Sequence, residues 1–382
     1  MSLAKSSIAK SSVLVCALLA AVAYTKTHAS QRAPLQAETN QKISAGSPRN
    51  VQTQYTGGSP SLRTIQGENP YKDPPQIFLQ TTETPPALVP PKDSACSIIW
   101  NSFPEGDSLP EWLSTPDTSQ GLETDIPYNY LAGMLLKYGI TTAEGCPANG
   151  LLPSGYASPC GLERTREAVT TWQNQFDGII FQAAVNNAVP AQLLKRIFAL
   201  ESQFWFGESG DGIHFGPGQT TEPGLDPLFL WYPNYYNQVC PAVLSNETCQ
   251  TGYGDLPSGQ RAMIRGYFLS KRINISCPSC PNMVDLVKAA DTIDIFAKLL
   301  IANCQQVNLM VTNLTERKAG RDSGYEDLWR FTLANYNAGA GCVSNALETT
   351  YIYGEHLDWA YVSAKFSGNC TKAVNYVTEI SQ

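Results

Sequence analysis

The sequence predicts a mainly α-helical, disulfide-bonded domain behind a long N-terminal lead-in, and three observations carry that reading. Apolar residues recur at helical spacing from Leu162 onward, while strand-like alternation is scarce. Ten of the 11 cysteines fall between Cys96 and Cys370. The charge is divided: residues 1–95 hold 9 Lys/Arg against 5 Asp/Glu, leaving 17 against 28 in residues 96–382. An acidic globular part offers no electrostatic footprint for nucleic acid or for an anionic membrane surface. With 382 residues, 43% of them hydrophobic, the chain is long enough to bury a core and is neither collagenous nor wholly disordered.

Lys5 and Lys10, the apolar run from Val13 to Ala23 and its small-residue ending Ala21-Val22-Ala23 read as a secretory signal over residues 1–29. The run is well short of the roughly 20 residues that cross a bilayer, so a short retained anchor is the weaker alternative. Cys16 lacks the small residues that precede an acylated cysteine. Residues 30–95 are rich in Ser, Thr, Gln and Pro and read as an extended, disordered stalk. Residues 96–161, with Trp100, Trp112, Cys146 and Cys160, form a Cys-containing N-terminal extension, either packed on the helical domain or a separate module.

An even cysteine count in an exported chain predicts up to five disulfides, with the pairing left open. Cys277 and Cys280 form a C-x-x-C, with Cys240 and Cys249 upstream as a possible second pair. Their spacing lacks the geometry of a zinc ribbon, so structural disulfides are expected rather than a metal or a redox dithiol. Glu208 and Asp211 fall short of a calcium-loop pattern, and His214 and His356 have no partners at metal-ligand spacing. Asn246, Asn274, Asn313 and Asn369 match Asn-x-Ser/Thr, which implies surface positions if the host glycosylates exported proteins.

The helices come in order. One is expected from Leu162 through Ala183, and a second opens at Pro190 and runs through Leu193, Ile197, Phe198, Glu201, Phe204 and Trp205 until Gly207 ends it. A third is expected over Met283–Cys304, a fourth over Tyr325–Ala338 closed by Gly339, and one or two more between Ala360 and Ile380. At about 100° per residue, Glu201 falls within about 20° of Leu194 on the second helix, in the middle of its apolar stripe. A carboxyl placed there is either paired with a buried cation or lines a cleft where desolvation keeps it protonated near neutral pH. A protonated carboxyl is what a glycosidic oxygen needs from a general acid.

The stretch from Ala188 to Phe204, containing Ala199-Leu200-Glu201-Ser202-Gln203-Phe204, resembles the catalytic-helix motif of the soluble lytic transglycosylases, which share the lysozyme-like fold. Gly216-Pro217-Gly218-Gln219 is similar to that family's Gly-Leu-Met-Gln loop, Asp285 to Asn303 to its middle helix, Asn335-Tyr336-Asn337-Ala338-Gly339 to its Tyr-Asn-Ala-Gly motif, and Tyr376-Val377 to its closing helix. The ordered set, over roughly residues 165–380, is more specific than any one string. The resemblance implies a lysozyme-like domain over 162–382 with a disulfide-rich insertion at about 222–281. It also implies an exported enzyme of the periplasm, envelope or extracellular space. Such an enzyme cleaves the β-1,4 link between N-acetylmuramic acid and N-acetylglucosamine in peptidoglycan strands, working as a monomer without cofactor or metal.

In that family one Glu protonates the leaving oxygen and then deprotonates the muramyl C6 hydroxyl, which closes a 1,6-anhydro ring; here that residue would be Glu201. Ser202 would hydrogen-bond in the cleft or be an ordinary helix hydroxyl. Gln219 would hold backbone sugars or cap its own turn. Tyr336 would sit beside the carboxyl and the substrate's acetamido group; Asn337 would chiefly fix the helix end, and Tyr376 would reach the cleft or be a buried aromatic. Pro217-Gly218 and Asn335 depart from the family pattern, placing the cleft's shape in question. In the insertion, Phe229, Trp231, Tyr232, Tyr235 and Tyr236 form either a small aromatic core, the favoured reading, or a glycan-binding lip. The competing functions are a lysozyme-type or chitinase-like hydrolase on the same fold, and a non-catalytic glycan-binding envelope protein.

Overall fold

The computed structural model describes residues 93–104, 109–207 and 213–382. The signal segment, nearly all of the stalk, Glu208 and Asp211 lie outside them. The first helix among the described residues, α1 (Ala95–Trp100), starts on Ser94, whose hydroxyl accepts the Ser97 N–H at 3.1 Å. Helical structure is therefore present at Ala95, the last residue of the segment assigned to the stalk. The extension contributes α2 (Asn129–Lys137) and α3 (Pro159–Arg164), with Cys146 bonded to Cys160.

The single helix expected from Leu162 is instead broken. Helix α3 stops where the Thr165 hydroxyl bonds back to the Gly161 carbonyl at 2.9 Å, α4 takes Arg166–Asn174, and α5 takes Asp177–Asn187. A threonine that offers the backbone a local partner competes with the helix, and periodicity alone does not register such a break. The breaks turn Trp172 and Phe176 into the core. Helix α6 (Ala191–Ser202) also ends early, because Gln203 and Phe204 take left-handed backbone angles, φ 46° and 60°. Phe204 and Trp205 leave the helix, yet both stay buried.

The insertion folds as short helices α7 (Asp226–Trp231), α8 (Pro233–Val239), α9 (Asn246–Cys249) and α10 (Ser258–Phe268), the last running into a π-helical turn at Leu269–Ile273. Disulfides Cys240–Cys249 and Cys277–Cys280 close its loops. Phe229 and Tyr236 are buried against Tyr253, and Phe229 also meets Phe268, which gives the small aromatic core that the sequence favours.

Helix α11 (Leu286–Thr315) continues well past the expected end at Cys304 because its apolar face persists through Val307 and Val311, both fully buried. It is the central element, packing on α1, α5 and α7 and on α12 (Tyr325–Ala338). Gly339 at φ 83° allows α13 (Ala340–Ile352) to start at once, a helix that the sequence reading lacks. The tail forms α14 (Trp359–Ser363) and α15 (Lys372–Ile380); α15 packs on α12 and α6. Cys342–Cys370 ties α13 to the turn before α15, and Cys96–Cys304 ties α1 to α11.

The described part is thus mainly helical with five disulfides, which is compatible with an exported protein. Among the described residues there are only isolated β-bridges, and no helix is long and apolar enough to cross a membrane. One continuous buried cluster runs from Cys96 and Trp112 in the extension to Ile380, so the extension is docked rather than separate.

Candidate active site

Glu201 occupies the next-to-last position of α6, where the helix gives way to the Gln203–Phe204 reversal. That reversal is anchored from two sides. The Gln203 side-chain oxygen accepts the first-turn N–H groups of α2, Tyr130 at 3.1 Å and Leu131 at 3.4 Å, and the Trp172 indole donates to the Phe204 carbonyl at 2.8 Å. Trp205 then stacks between Trp172 and Tyr138, with ring centroids 5.5 and 5.2 Å apart. The extension therefore buttresses the end of the helix that carries Glu201, a role that no sequence motif announces.

Burial pushes the Glu201 carboxyl up to about 7, against the opposing pull of the Tyr376 hydroxyl and of the His214 charge. Tyr376, on α15, is buried and close enough to act on the carboxyl, but its hydroxyl completes no full hydrogen bond to protein. Burial together with the Glu201 charge holds the Tyr376 and Tyr336 phenols well above the ordinary tyrosine range, so both stay neutral donors. The buried ion pair that an apolar stripe allows for Glu201 exists, but at another residue of α6. Lys195 is paired with Asp177 in the interior, donates to the Gln173 carbonyl at 2.9 Å, and lies 4.8 Å from the centroid of the Phe204 ring.

Against Tyr336 lies a tight hairpin, Phe215 to Thr220, closed by reciprocal backbone hydrogen bonds of 3.2 and 2.9 Å. Gly216 sits at φ 68°, and a Cβ on Gly218 would come 2.0 Å from the Phe296 ring of α11. Phe296 therefore occupies the space that a side chain at 218 would need, which accounts for glycine there. The Gly218 carbonyl accepts the Tyr336 hydroxyl at 2.5 Å, and Phe296 meets Tyr336 edge-on at 5.3 Å. Hairpin, α11 and α12 are thus joined around one phenol.

The remaining candidates separate. Glu201, Tyr336 and Tyr376 converge. Ser202 is 4% exposed and its hydroxyl donates to the Phe198 carbonyl at 3.0 Å, so it serves its own helix. Gln219 donates its amide to the Gly216 carbonyl at 3.0 Å, capping its turn and leaving its side-chain oxygen for another partner. Asn337 is exposed on the last turn of α12. Asn335 points away from the site into α11, donating to Asn303 at 2.7 Å and Gln306 at 2.9 Å, so the departure at 335 serves helix packing.

His214, two residues before Gly216, has no role in the sequence reading beyond its poor fit to a metal site, and the structure brings its charge to bear on Glu201. Its sequence neighbourhood, just before the hairpin glycines, is the available signal. Among the described residues no group of three or more His, Cys, Asp or Glu could hold a metal ion. The site can present one proton at a titrating carboxyl and one hydrogen-bond donor from the Tyr376 phenol, the Tyr336 proton being taken by the Gly218 carbonyl. Comparison with family models, with curated proteins and with solved structures returned no match.

Proposed function

We propose that the protein is an exported lytic transglycosylase with a lysozyme-like catalytic domain, acting on peptidoglycan strands through Glu201. The observation that carries this reading is a single carboxyl at the end of α6 titrating near 7, with two neutral tyrosines beside it. A group with that pKa is protonated often enough to act as acid and ionised often enough to act as base near neutral pH. Glu201 gives its proton to the bridging oxygen as the C1–O bond breaks. The resulting carboxylate takes the proton of the muramyl C6 hydroxyl, whose oxygen bonds to C1, so the ring closes and no water is consumed. The acetamido group supports the charge at C1, which removes the need for a second carboxylate.

Tyr376 fits a supporting role, donating toward the carboxylate or the acetamido oxygen as charge shifts, while Tyr336, its proton held by the Gly218 carbonyl, ties the hairpin to α12 beside the carboxyl. The order of the sequence matches, from the catalytic helix through the hairpin and α11 to Tyr336 and Tyr376, supports the same reading. Five disulfides favour an envelope or extracellular location. The test is mass spectrometry of fragments released from purified peptidoglycan by the wild-type chain and by Glu201→Gln. Products one water lighter than hydrolysed ends, absent with the variant, are expected; full-mass reducing ends would make the protein a lysozyme-type hydrolase instead.

A further inference from the structure

The insertion's aromatic residues divide into two sets. Phe229 and Tyr236 build its core, while Tyr235 and Tyr267 remain half-buried on the wall of a cavity of about 240 Å³. Gln238, Arg272, Asp291 and Asp294 complete that wall. Asp291 and Asp294 also line a wider cavity of about 720 Å³ against α5, where the exposed amides of Gln182 and Asn186 face them. The two cavities meet along these carboxylates and make one groove between insertion, α11 and α5.

We propose that this groove is a second saccharide-binding site, separate from Glu201, that takes a chain of N-acetylated sugars. Tyrosine faces stack on the C–H faces of sugar rings. Planar amides and carboxylates match the hydroxyl and acetamido groups around the rim of each ring. Part of the groove is already fixed in place: Asp294 is held by Lys298 and accepts the Asn187 amide at 2.7 Å. The π-helical turn Leu269–Ile273 follows Tyr267 closely and contains Arg272, and such turns are frequent at functional sites.

The groove also borders the candidate cleft. Arg272 lines it, yet the Arg272 carbonyl accepts the Thr292 hydroxyl at 2.8 Å, and the next carbonyl, that of Ile273, lies 3.2 Å from where a Cβ on Gly216 would stand. One short segment thus has the hairpin on one side and the groove on the other. A polymer held in the groove would stay within reach of Glu201 between cleavage events, raising its effective concentration there. The proposal rests on reading the protein as acting on a glycan.

The experiment uses the disulfide-bonded secreted chain carrying Glu201→Gln, titrated calorimetrically with N-acetylglucosamine oligomers and, separately, with soluble peptidoglycan glycan strands. Two binding steps are expected for at least one of these, and the preferred probe identifies whether the groove takes a chitin-type or a muramic-acid-containing strand. Tyr235→Ala with Tyr267→Ala should weaken one step about tenfold and leave the other unchanged. Asp291→Ala with Gln238→Ala, both at exposed positions, should act in the same direction without touching the aromatic core. Unaltered two-step binding in both double variants, or a single step in the parent, would overturn the groove. Neither result bears on Glu201-dependent fragment release, which judges the catalytic reading by itself.

Discussion

Lys195 stands less than two turns before Glu201 on α6. Lys195 lies in the interior and Glu201 is half-buried at its edge, and their surroundings differ. Lys195 is 2% exposed and meets a carboxylate, a backbone carbonyl, the Asn174 side chain and an aromatic face. Burial still pushes Lys195 down and Asp177 up, but each charge pulls the other back. Glu201 is offered a phenol and the charge of His214, and burial prevails. A buried charge that is matched serves structure, whereas one left undermatched becomes a proton donor near pH 7.

Replacement of the two residues should separate these roles. Glu201→Gln is expected to lower fragment release on the order of 10³-fold while the protein stays folded. Lys195→Met leaves Asp177 buried without its cation, which should destabilise the fold by about 3–5 kcal/mol. Adding Asp177→Leu should restore most of that loss, since an apolar pair of similar volume replaces a desolvated ion pair. Thermal melts of the three variants check this, and an unchanged melting temperature in Lys195→Met would dissolve the contrast.

The contrast also has a pH signature. The folded-state pKa of Glu201, about 7, lies above its ordinary value of 4.5, so the folded protein binds the proton more tightly than the unfolded chain. Its contribution to stability is present in full below pH 4.5 and is lost as pH rises to about 7, up to ~3 kcal/mol in all. Glu201→Gln has no such proton. Its melting temperature should match the wild type at acid pH and exceed it above neutrality; parallel curves would show that the carboxyl is not desolvated.

The range of the forces involved decides which features the sequence discloses. Helix α12 and the stripe holding Glu201 are legible because a local period decides which face is buried. The end of α6 is not: Gln203 and Phe204 turn left-handed because α2 and Trp172 hold them there, contacts that arise far away in the chain. Lys195 is silent in the sequence for the same reason, its burial depending on Asp177 and Phe204 rather than on its own helix. The cysteines announce disulfides, and the near pairs Cys240–Cys249 and Cys277–Cys280 are legible by their spacing, but the distant partners are not, since pairing Cys96 with Cys304 spans a separation of 208 residues. The hairpin around Gly218 can be found by its glycines, but not the Phe296 ring that requires one of them.

The smallest effect tests how finely the site is tuned. The Tyr376 hydroxyl favours the charged form of Glu201, and the desolvation that opposes it comes from the surrounding protein. Tyr376→Phe removes the hydroxyl and keeps the ring that packs between α15 and the core. The Glu201 pKa should therefore rise further. In the proposed reaction the first step needs the protonated acid, so activity should fall as pH climbs through that pKa and the alkaline limb of the rate profile should move to higher pH, by about one unit or less. The maximum rate should fall only a few-fold, since in the proposed reaction the transferred proton is that of Glu201 and not of the phenol. A limb that stays in place while the rate collapses would make Tyr376 a group that touches substrate, and the tuning of Glu201 would then rest on burial and His214.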